Sequence, residues 1–159
     1  MYNKTYMVED QRFADSRPDV LSFESDELSD ELTLAGQIEV ELYVSTSGTD
    51  SDWIVKLIDV YPDSLTETNS EGTGMANYQM LVRGEIMRGK FRNSLENPEP
   101  FVPNEVTTVK FTLNDAHHTF LKGHKIMVQV QSSWFPMFDR NPQTFCDIYN
   151  SCNIHFKIS

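Results

Sequence analysis

Basic residues are scarce in this chain. Its 159 residues include 13 Lys and Arg against 24 Asp and Glu, which gives a net charge of −11 at pH 7. A protein that binds nucleic acid needs a basic surface to meet the phosphate backbone, and anionic membrane surfaces attract basic segments in the same way. The sequence therefore argues against nucleic acid and membrane surfaces as partners.

Cysteines and long apolar runs are scarce as well. The two cysteines, Cys146 and Cys152, are too few for a disulfide framework, so they do not indicate a compartment. No stretch approaches the roughly 20 apolar residues of a membrane-spanning helix. The opening residues, MYNKTYMVEDQRF, lack the apolar core of a signal peptide. The localisation stays unknown, because a larger parent protein could be secreted, periplasmic or cytoplasmic.

The residue patterns of an active site are also missing. The seven glycines frame no Gly-x-Ser-x-Gly nucleophile elbow, and neither a glycine-rich phosphate loop nor a His-Glu-x-x-His zinc motif occurs. His117 and His118 are adjacent, so they would point to opposite faces of a strand. A metal site made from His118 and His124 would lack a carboxylate or cysteine at ligand spacing. We therefore predict no catalytic residue, no cofactor and no metal ion for this chain.

Strand patterns, in contrast, are abundant. Residues 37–44, QIEVELYV, alternate strictly between apolar and polar side chains, which predicts a strand with one buried and one solvated face. Residues 53–61, WIVKLIDVY, are apolar on both faces apart from Lys56 and Asp59, which predicts a central strand covered on both sides. Seven or eight short strands separated by turn-forming residues predict an all-β sandwich.

Asp59 and the two tryptophans need a separate explanation. A buried carboxylate without a partner is costly, so Asp59 should pair with Arg or with backbone donors. Arg88 and Arg92 in the RGKFRNS segment are the candidates, and we expect an internal ion pair rather than a catalytic acid. Trp53 and Trp134 would suit a sugar-stacking platform, although such aromatic residues belong more often to a core or an interface.

Four segments carry a family resemblance: YMVEDQRFADSRPDVLSFESDEL, TSGTDSDWIVKLIDVYPD, RGKFRNSLENPEPFVPNEV and HTFLKGHKIMVQVQSSWFPMFDRNPQTF. From about Tyr2 to Phe145 the chain resembles the C-terminal domain of the X-Pro dipeptidyl-peptidase and cocaine-esterase-like (CocE/NonD) serine hydrolases. That group includes alpha-amino-acid ester hydrolases and glutaryl acylases. The resemblance implies a jelly-roll β-sandwich of the galactose-binding-domain-like type. It also implies two partner domains, an α/β-hydrolase domain with the Ser-Asp-His triad and a helical cap.

These features together predict a role for the chain. We expect residues 1–159 to form a single β-sandwich domain, the C-terminal piece of a larger hydrolase that cleaves ester or amide bonds. No triad position of the family falls in this chain, so the domain would be non-catalytic and would help shape the cleft. Its tail is shorter than the family's, and NIHFKI at 153–158 is the candidate closing strand. A stand-alone carbohydrate-binding module is the alternative, and a homo-oligomer remains open.

An aromatic segment, SSWFPMFDRNPQTF at 132–145, follows the last clear strand pattern. We expect the strand to end at Ser132 or Ser133, because Pro136 prevents ladder pairing. The aromatic side chains would cover the end of the core and offer a surface to the hydrolase domain. DRNP at 139–142 would form a hydrogen-bonded turn that leaves Arg140 free for a bidentate contact. The residues predicted for this surface or its support are Trp134, Phe135, Phe138, Asp139, Arg140, Asn141, Asp59 and Arg92.

Overall fold

The computed structural model of the chain describes residues 8–147 and is built almost entirely from strands. Its elements are α1 (Arg12–Asp15), β1 (Val20–Glu24), β2 (Leu32–Val44), β3 (Asp52–Val60), β4 (Gln79–Arg88), a 3₁₀ helix (Gly89–Phe91), β5 (Thr107–Phe120) and β6 (Lys125–Gln131). One sheet has the order β1-β6-β3-β4, and β2 pairs with β5 in a second. The predicted all-β class is confirmed, and the antiparallel sheets are consistent with a β-sandwich.

The chain divides into two compact units. Within the described residues, the first comprises 8–38, Val55–Glu85 and Leu113–Gln131, and the second comprises Glu39–Ile54, Ile86–Thr112 and 132–147. The predicted closing strand at 153–158 and Cys152 lie outside the described residues. Within residues 8–147, no helix is long and apolar enough to cross a membrane.

The core of the first unit is built around β3. Ile58 and Val60 of β3 pack with Met127 of β6, and the half-buried Leu81 of β4 covers them. Burying one such side chain stabilises the fold by roughly 1.5–3 kcal/mol. β3 lies between β6 and β4 in its sheet, and its residues are buried or half-buried on both faces. The sequence-based prediction of a central strand is confirmed.

β2 shows the predicted alternation. Its odd-numbered residues from Gln37 to Tyr43 are exposed, and its even-numbered residues from Ile38 to Val44 are half-buried. The strand begins at Leu32, five residues before the clean pattern starts at Gln37. The less regular LTLAG stretch therefore belongs to the same strand as the alternating part.

The chain turns sharply at Gly89. β4 ends at Arg88, and Gly89 begins the 3₁₀ helix. A Cβ atom at this position would collide with the Phe101 ring and with the carbonyl oxygen of Ser51. Only glycine permits this close approach, so the bend is a packing requirement of the second unit.

Candidate interdomain surface

The aromatic segment leaves β6 in a compact bend. β6 ends at Gln131, just before the predicted position, and the Phe135–Pro136 peptide bond is cis. The Phe138 N–H donates to the Trp134 carbonyl oxygen at 3.1 Å. The hydrogen-bonded turn therefore lies at 134–138, and the prediction of a turn at DRNP is wrong. Residues 139–142 do not need one, because the Asn141 side chain makes the local contacts instead.

Burial separates the aromatic residues into anchors and exposed side chains. Trp134 is only 5% exposed, and its ring centroid lies 5.9 Å from that of the half-buried Phe138. Phe135 is 52% exposed and Met137 45%. The bend points successive side chains in different directions, which the sequence pattern did not reveal. Trp134 is therefore a core residue and cannot stack on a sugar, and Trp53 is half-buried.

Arg140 supports the exposed Phe135. Its guanidinium carbon lies 4.9 Å from the centroid of the Phe135 ring, in the range of a cation–π contact. Asp139 beside it is exposed. The Arg140 guanidinium thus contacts the Phe135 ring, where the sequence predicted a free guanidinium.

Asn141 fastens the segment to a buried acidic pair. Its Nδ2 donates to Asp52 Oδ1 at 2.8 Å, and Arg88 Nη1 lies 3.5 Å from Asp52 Oδ2. Asp50 and Asp52 are both buried. Burial raises the pKa of Asp52 to about 6 and also raises the pKa of Asp50. Protonation of these two carboxylates should therefore change the stability of the segment that Asn141 attaches to them.

The sequence pattern did not identify this acidic pair. The turn-forming residues of STSGTDSD at 45–52 indicate a loop and give no sign that the carboxylates are buried. The two carboxylates are two residues apart and directly precede the apolar run of β3, so they share a face of the incoming strand. This two-residue spacing is the feature of the sequence from which the pair could have been predicted.

Arg92 contacts the proline-rich loop and does not pair with Asp59, its predicted partner. Its guanidinium donates to the carbonyl oxygens of Gly89, Glu99 and Pro100 at 3.0–3.1 Å. The Phe101 ring lies beneath it, with a centroid distance of 4.3 Å. Arg92 therefore has a structural role in the second unit.

Asp59 is buried as predicted, but its partners are histidines. It is 2% exposed. His118 Nε2 lies 2.9 Å from Oδ2, and His124 Nδ1 lies 2.8 Å from Oδ1. The predicted pairing with Arg is wrong, because Arg88 contacts Asp52 and Arg92 holds the loop. The two histidines considered as metal ligands meet at this carboxylate, and residues 8–147 contain no cluster suited to a metal ion.

A groove of about 560 Å³ opens in the second unit. Its lining residues are Arg88, Lys90, Phe91, Pro98, Phe145, Cys146 and Asp147. Lys90 Nζ donates to the Cys146 carbonyl oxygen at 2.9 Å, which ties the 3₁₀ helix to the end of the aromatic segment. Phe145 is 38% exposed. The groove combines apolar rings with two cations.

A family comparison identifies the domain. The family described as X-Pro dipeptidyl-peptidase C-terminal non-catalytic domain matches residues 3–154, nearly the whole chain. The chain belongs to this family. The family resemblance of the sequence is thereby confirmed. A family described as non-catalytic also accounts for a sequence without a nucleophile elbow.

Larger hydrolases contain close relatives of this non-catalytic domain. The chain is 36% identical over 135 residues to cocaine esterase of Rhodococcus sp. (strain MB1 Bresler), covering 85% of this chain and 21% of that protein. It matches the aminopeptidase of a marine sediment Thaumarchaeota archaeon with a TM-score of 0.80 and 46% identity, over 88% of this chain and 22% of that one. An alpha-amino acid ester hydrolase gives a TM-score of 0.82 and 48% identity, over 89% and 22%.

This C-terminal non-catalytic domain thus spans about a fifth of the length of the relatives it matches. The chain therefore corresponds to one domain of those larger proteins. The predicted surface residues Trp134, Phe135, Phe138, Asp139, Arg140, Asn141 and Arg92 all belong to the second unit, whereas Asp59 belongs to the first. The structure therefore separates Asp59 from the surface residues predicted with it.

Proposed function

We propose that this domain packs on the α/β-hydrolase and helical cap domains of a larger serine hydrolase and helps to shape the active-site cleft. The packing surface consists of the exposed side chains Phe135, Met137 and Phe145. One observation carries the proposal: three large apolar side chains stay exposed on a single segment whose anchors are buried. Exposed apolar patches of several hundred Å² mark interaction sites.

The rigid support of these side chains favours docking. Trp134 is buried below the bend, Asn141 bonds to Asp52, and Arg140 stacks on Phe135. A surface that is already ordered loses less conformational entropy when it binds. Interdomain interfaces bury about 600–1,500 Å². A segment with three exposed apolar anchors is suited to the centre of such an interface.

The names of the relatives support a proposal for the chemistry of the parent protein. They are named as an esterase, an ester hydrolase and an aminopeptidase. These names support a parent that cleaves ester or amide bonds, with the nucleophile, base and oxyanion donors in the catalytic domain. This chain would contribute position and shape, and its isolated form should show no turnover of activated esters or X-Pro dipeptide amides.

A chimera tests the proposal. This chain replaces the matching fifth of the alpha-amino acid ester hydrolase, and ester hydrolysis and the thermal midpoint are measured. We expect an active chimera whose midpoint falls by several degrees in the Phe135→Ser, Met137→Ser variant, because interface anchors each contribute on the order of 1–2 kcal/mol. Lys122→Gln, an exposed change in the first unit, is the control. An inactive chimera, or a surface variant with an unchanged midpoint, contradicts the proposal.

A further inference from the structure

Strand β1 forms an open edge of the first unit. It lies at one end of the strand order β1-β6-β3-β4, so within residues 8–147 it pairs with β6 alone. The Ser25 N–H donates to the Ile126 carbonyl oxygen at 2.9 Å, which continues the antiparallel β1–β6 register. Because successive residues direct their backbone groups to alternate sides, those of Ser22 and Glu24 point away from β6. The edge therefore offers N–H and C=O groups to a further strand.

The side chains along this edge are apolar and exposed. Leu21 is 61% exposed and Phe23 60%. They lie opposite the half-buried Val130 and Val128 of β6, and opposite residues share a face, so the four side chains form one apolar strip. Edge strands are commonly protected by Pro or Lys, and β1 contains neither. An edge of this kind is suited to strand addition by an extended peptide.

An acidic run continues from the end of β1. Residues 24–31, ESDELSDE, contain five carboxylates and no Lys or Arg, and all five acidic residues are exposed. In the described part of the chain the run makes one ion pair, between Glu24 Oε1 and Lys125 Nζ at 2.8 Å. Four carboxylates thus remain unneutralised beside the open edge. Such a concentration of one charge attracts cationic groups over about 10 Å at 0.1 M salt.

We propose that the β1 edge binds an extended segment of a partner protein, with alternating apolar side chains and Lys or Arg residues beside the acidic run. The segment would add to β1 as an antiparallel strand, so its basic residues would precede its apolar ones. A second copy of this chain has the wrong charge, because its own residues 20–31 repeat the five carboxylates without a cation. This inference goes beyond the proposed function, whose surface lies in the second unit.

Two matched peptides test the edge in the full 159-residue chain. Acetyl-Lys-Lys-Ser-Val-Thr-Val-Thr-amide and its Gln-Gln counterpart differ only in charge, and binding is measured by NMR titration at low ionic strength. We expect the Lys peptide to bind at least about tenfold more tightly, with a preference that weakens as salt is added. Equal affinities overturn the proposal.

Amide hydrogen exchange tests whether the peptide pairs with the edge. At saturating Lys peptide, exchange of the Ser22 and Glu24 amides should slow at least about tenfold, because the added strand accepts from them. The Ser25 amide, which already bonds to Ile126, is the internal reference and should keep its rate. Unchanged rates at Ser22 and Glu24 would mean that the peptide does not add a strand, and the proposal would be wrong.

Variants separate the contribution of the backbone from that of the charges. Ser22→Pro removes an outward N–H, which an edge strand tolerates, and should abolish binding, whereas Ser22→Thr should retain it. The Lys preference should vanish when three carboxylates of the run are neutralised, in Asp26→Asn, Glu27→Gln, Glu31→Gln. It should persist when three exposed carboxylates of the second unit are neutralised, in Glu96→Gln, Glu105→Gln, Asp139→Asn. A preference that survives the first triple variant contradicts the proposal, and the exchange rates decide if Ser22→Pro does not fold.

Three further outcomes would assign the edge to another occupant. Binding only to a chain shortened to residues 1–147 would identify the tail. Protection of the Ser22 and Glu24 amides that rises with protein concentration alone would identify a second copy. Protection in the chimera without peptide would identify the hydrolase domain. Each of these results shows that the proposed partner segment is wrong.

Discussion

The histidine partners of Asp59 determine how much a substitution at this position should cost in stability. Its two oxygens each meet one histidine nitrogen, and the carboxylate is buried. An asparagine at this position can still bond to both rings. Its amide oxygen accepts from the N–H of one imidazole, and its NH₂ group donates to the other imidazole once that ring adopts its other tautomer. An arginine partner offers no such adjustment, since a guanidinium only donates.

We therefore predict different costs for two substitutions at this position. Asp59→Ala leaves two imidazole groups without their acceptor and should lower the free energy of unfolding by about 2–4 kcal/mol. Asp59→Asn should lower it by only about 1 kcal/mol. Denaturant unfolding monitored by circular dichroism measures both. Equal midpoints for Asp59→Ala and the unmodified chain would show that the carboxylate does not support the fold.

Asp52 should make stability depend on pH. Burial raises its folded-state pKa from 3.8 to about 6, so the native state holds this proton more tightly than the unfolded state. The contribution of Asp52 to stability is therefore present at about pH 4 and is lost as the pH rises to about 6. Its full size is on the order of 3 kcal/mol.

The comparison with Asp52→Asn isolates this effect from the other carboxylates. The stability of the unmodified chain minus that of the variant should fall by on the order of 2 kcal/mol between pH 4.5 and pH 7.5. Asp139→Asn, an exposed change on the same unit, should show no such trend. A flat difference would mean that Arg88 and Asn141 compensate fully for the buried charge, and a difference that rises with pH would mean that they stabilise the charge by more than its burial costs.

At the scale of the element, the bend at 134–138 contains a buried residue that supports the fold and two exposed residues that we propose for docking. Trp134→Ser removes a buried anchor and should cost about 3–5 kcal/mol. Phe135→Ser with Met137→Ser removes exposed side chains and should change the stability of the isolated chain by less than about 0.5 kcal/mol. Denaturant unfolding provides both values.

The double variant Phe135→Ser, Met137→Ser also tests self-association. Without a hydrolase domain the exposed patch should make the chain associate as its concentration rises. Phe135→Ser, Met137→Ser should remain folded by near-UV circular dichroism and sediment as a monomer. A double variant that associates as strongly as the unmodified chain would exclude this patch as the contact surface.

The elements differ in how well the sequence predicts them. The central position of β3 and the two faces of β2 follow from local periodicity, and both are confirmed. The partners of Asp59 depend on the register that brings β5 and the turn before β6 to β3, and no local pattern encodes that register. Trp134 and Phe135 are adjacent and equally apolar, yet the bend buries one and exposes the other. Long-range pairing and bend geometry therefore limit the prediction of the surface.

At the scale of the whole molecule, the chain corresponds to about a fifth of the length of the relatives that it matches. Its family is non-catalytic, its relatives are hydrolases, and its own residues supply no nucleophile elbow. The acidic pair, the bend and the groove are all found in the second unit. We expect this unit to face the catalytic domain.

The oxidation of Met137 tests this account most directly. Met137 is 45% exposed in this chain, so dilute peroxide should convert its thioether readily to the sulfoxide. In the chimera with the hydrolase domain, we predict that oxidation of Met137 slows at least about tenfold, because the interface excludes the reagent. The half-buried Met75 of the first unit is the internal reference and should keep its rate. An unchanged Met137 rate in an active chimera would contradict the claim that this segment is the docking surface.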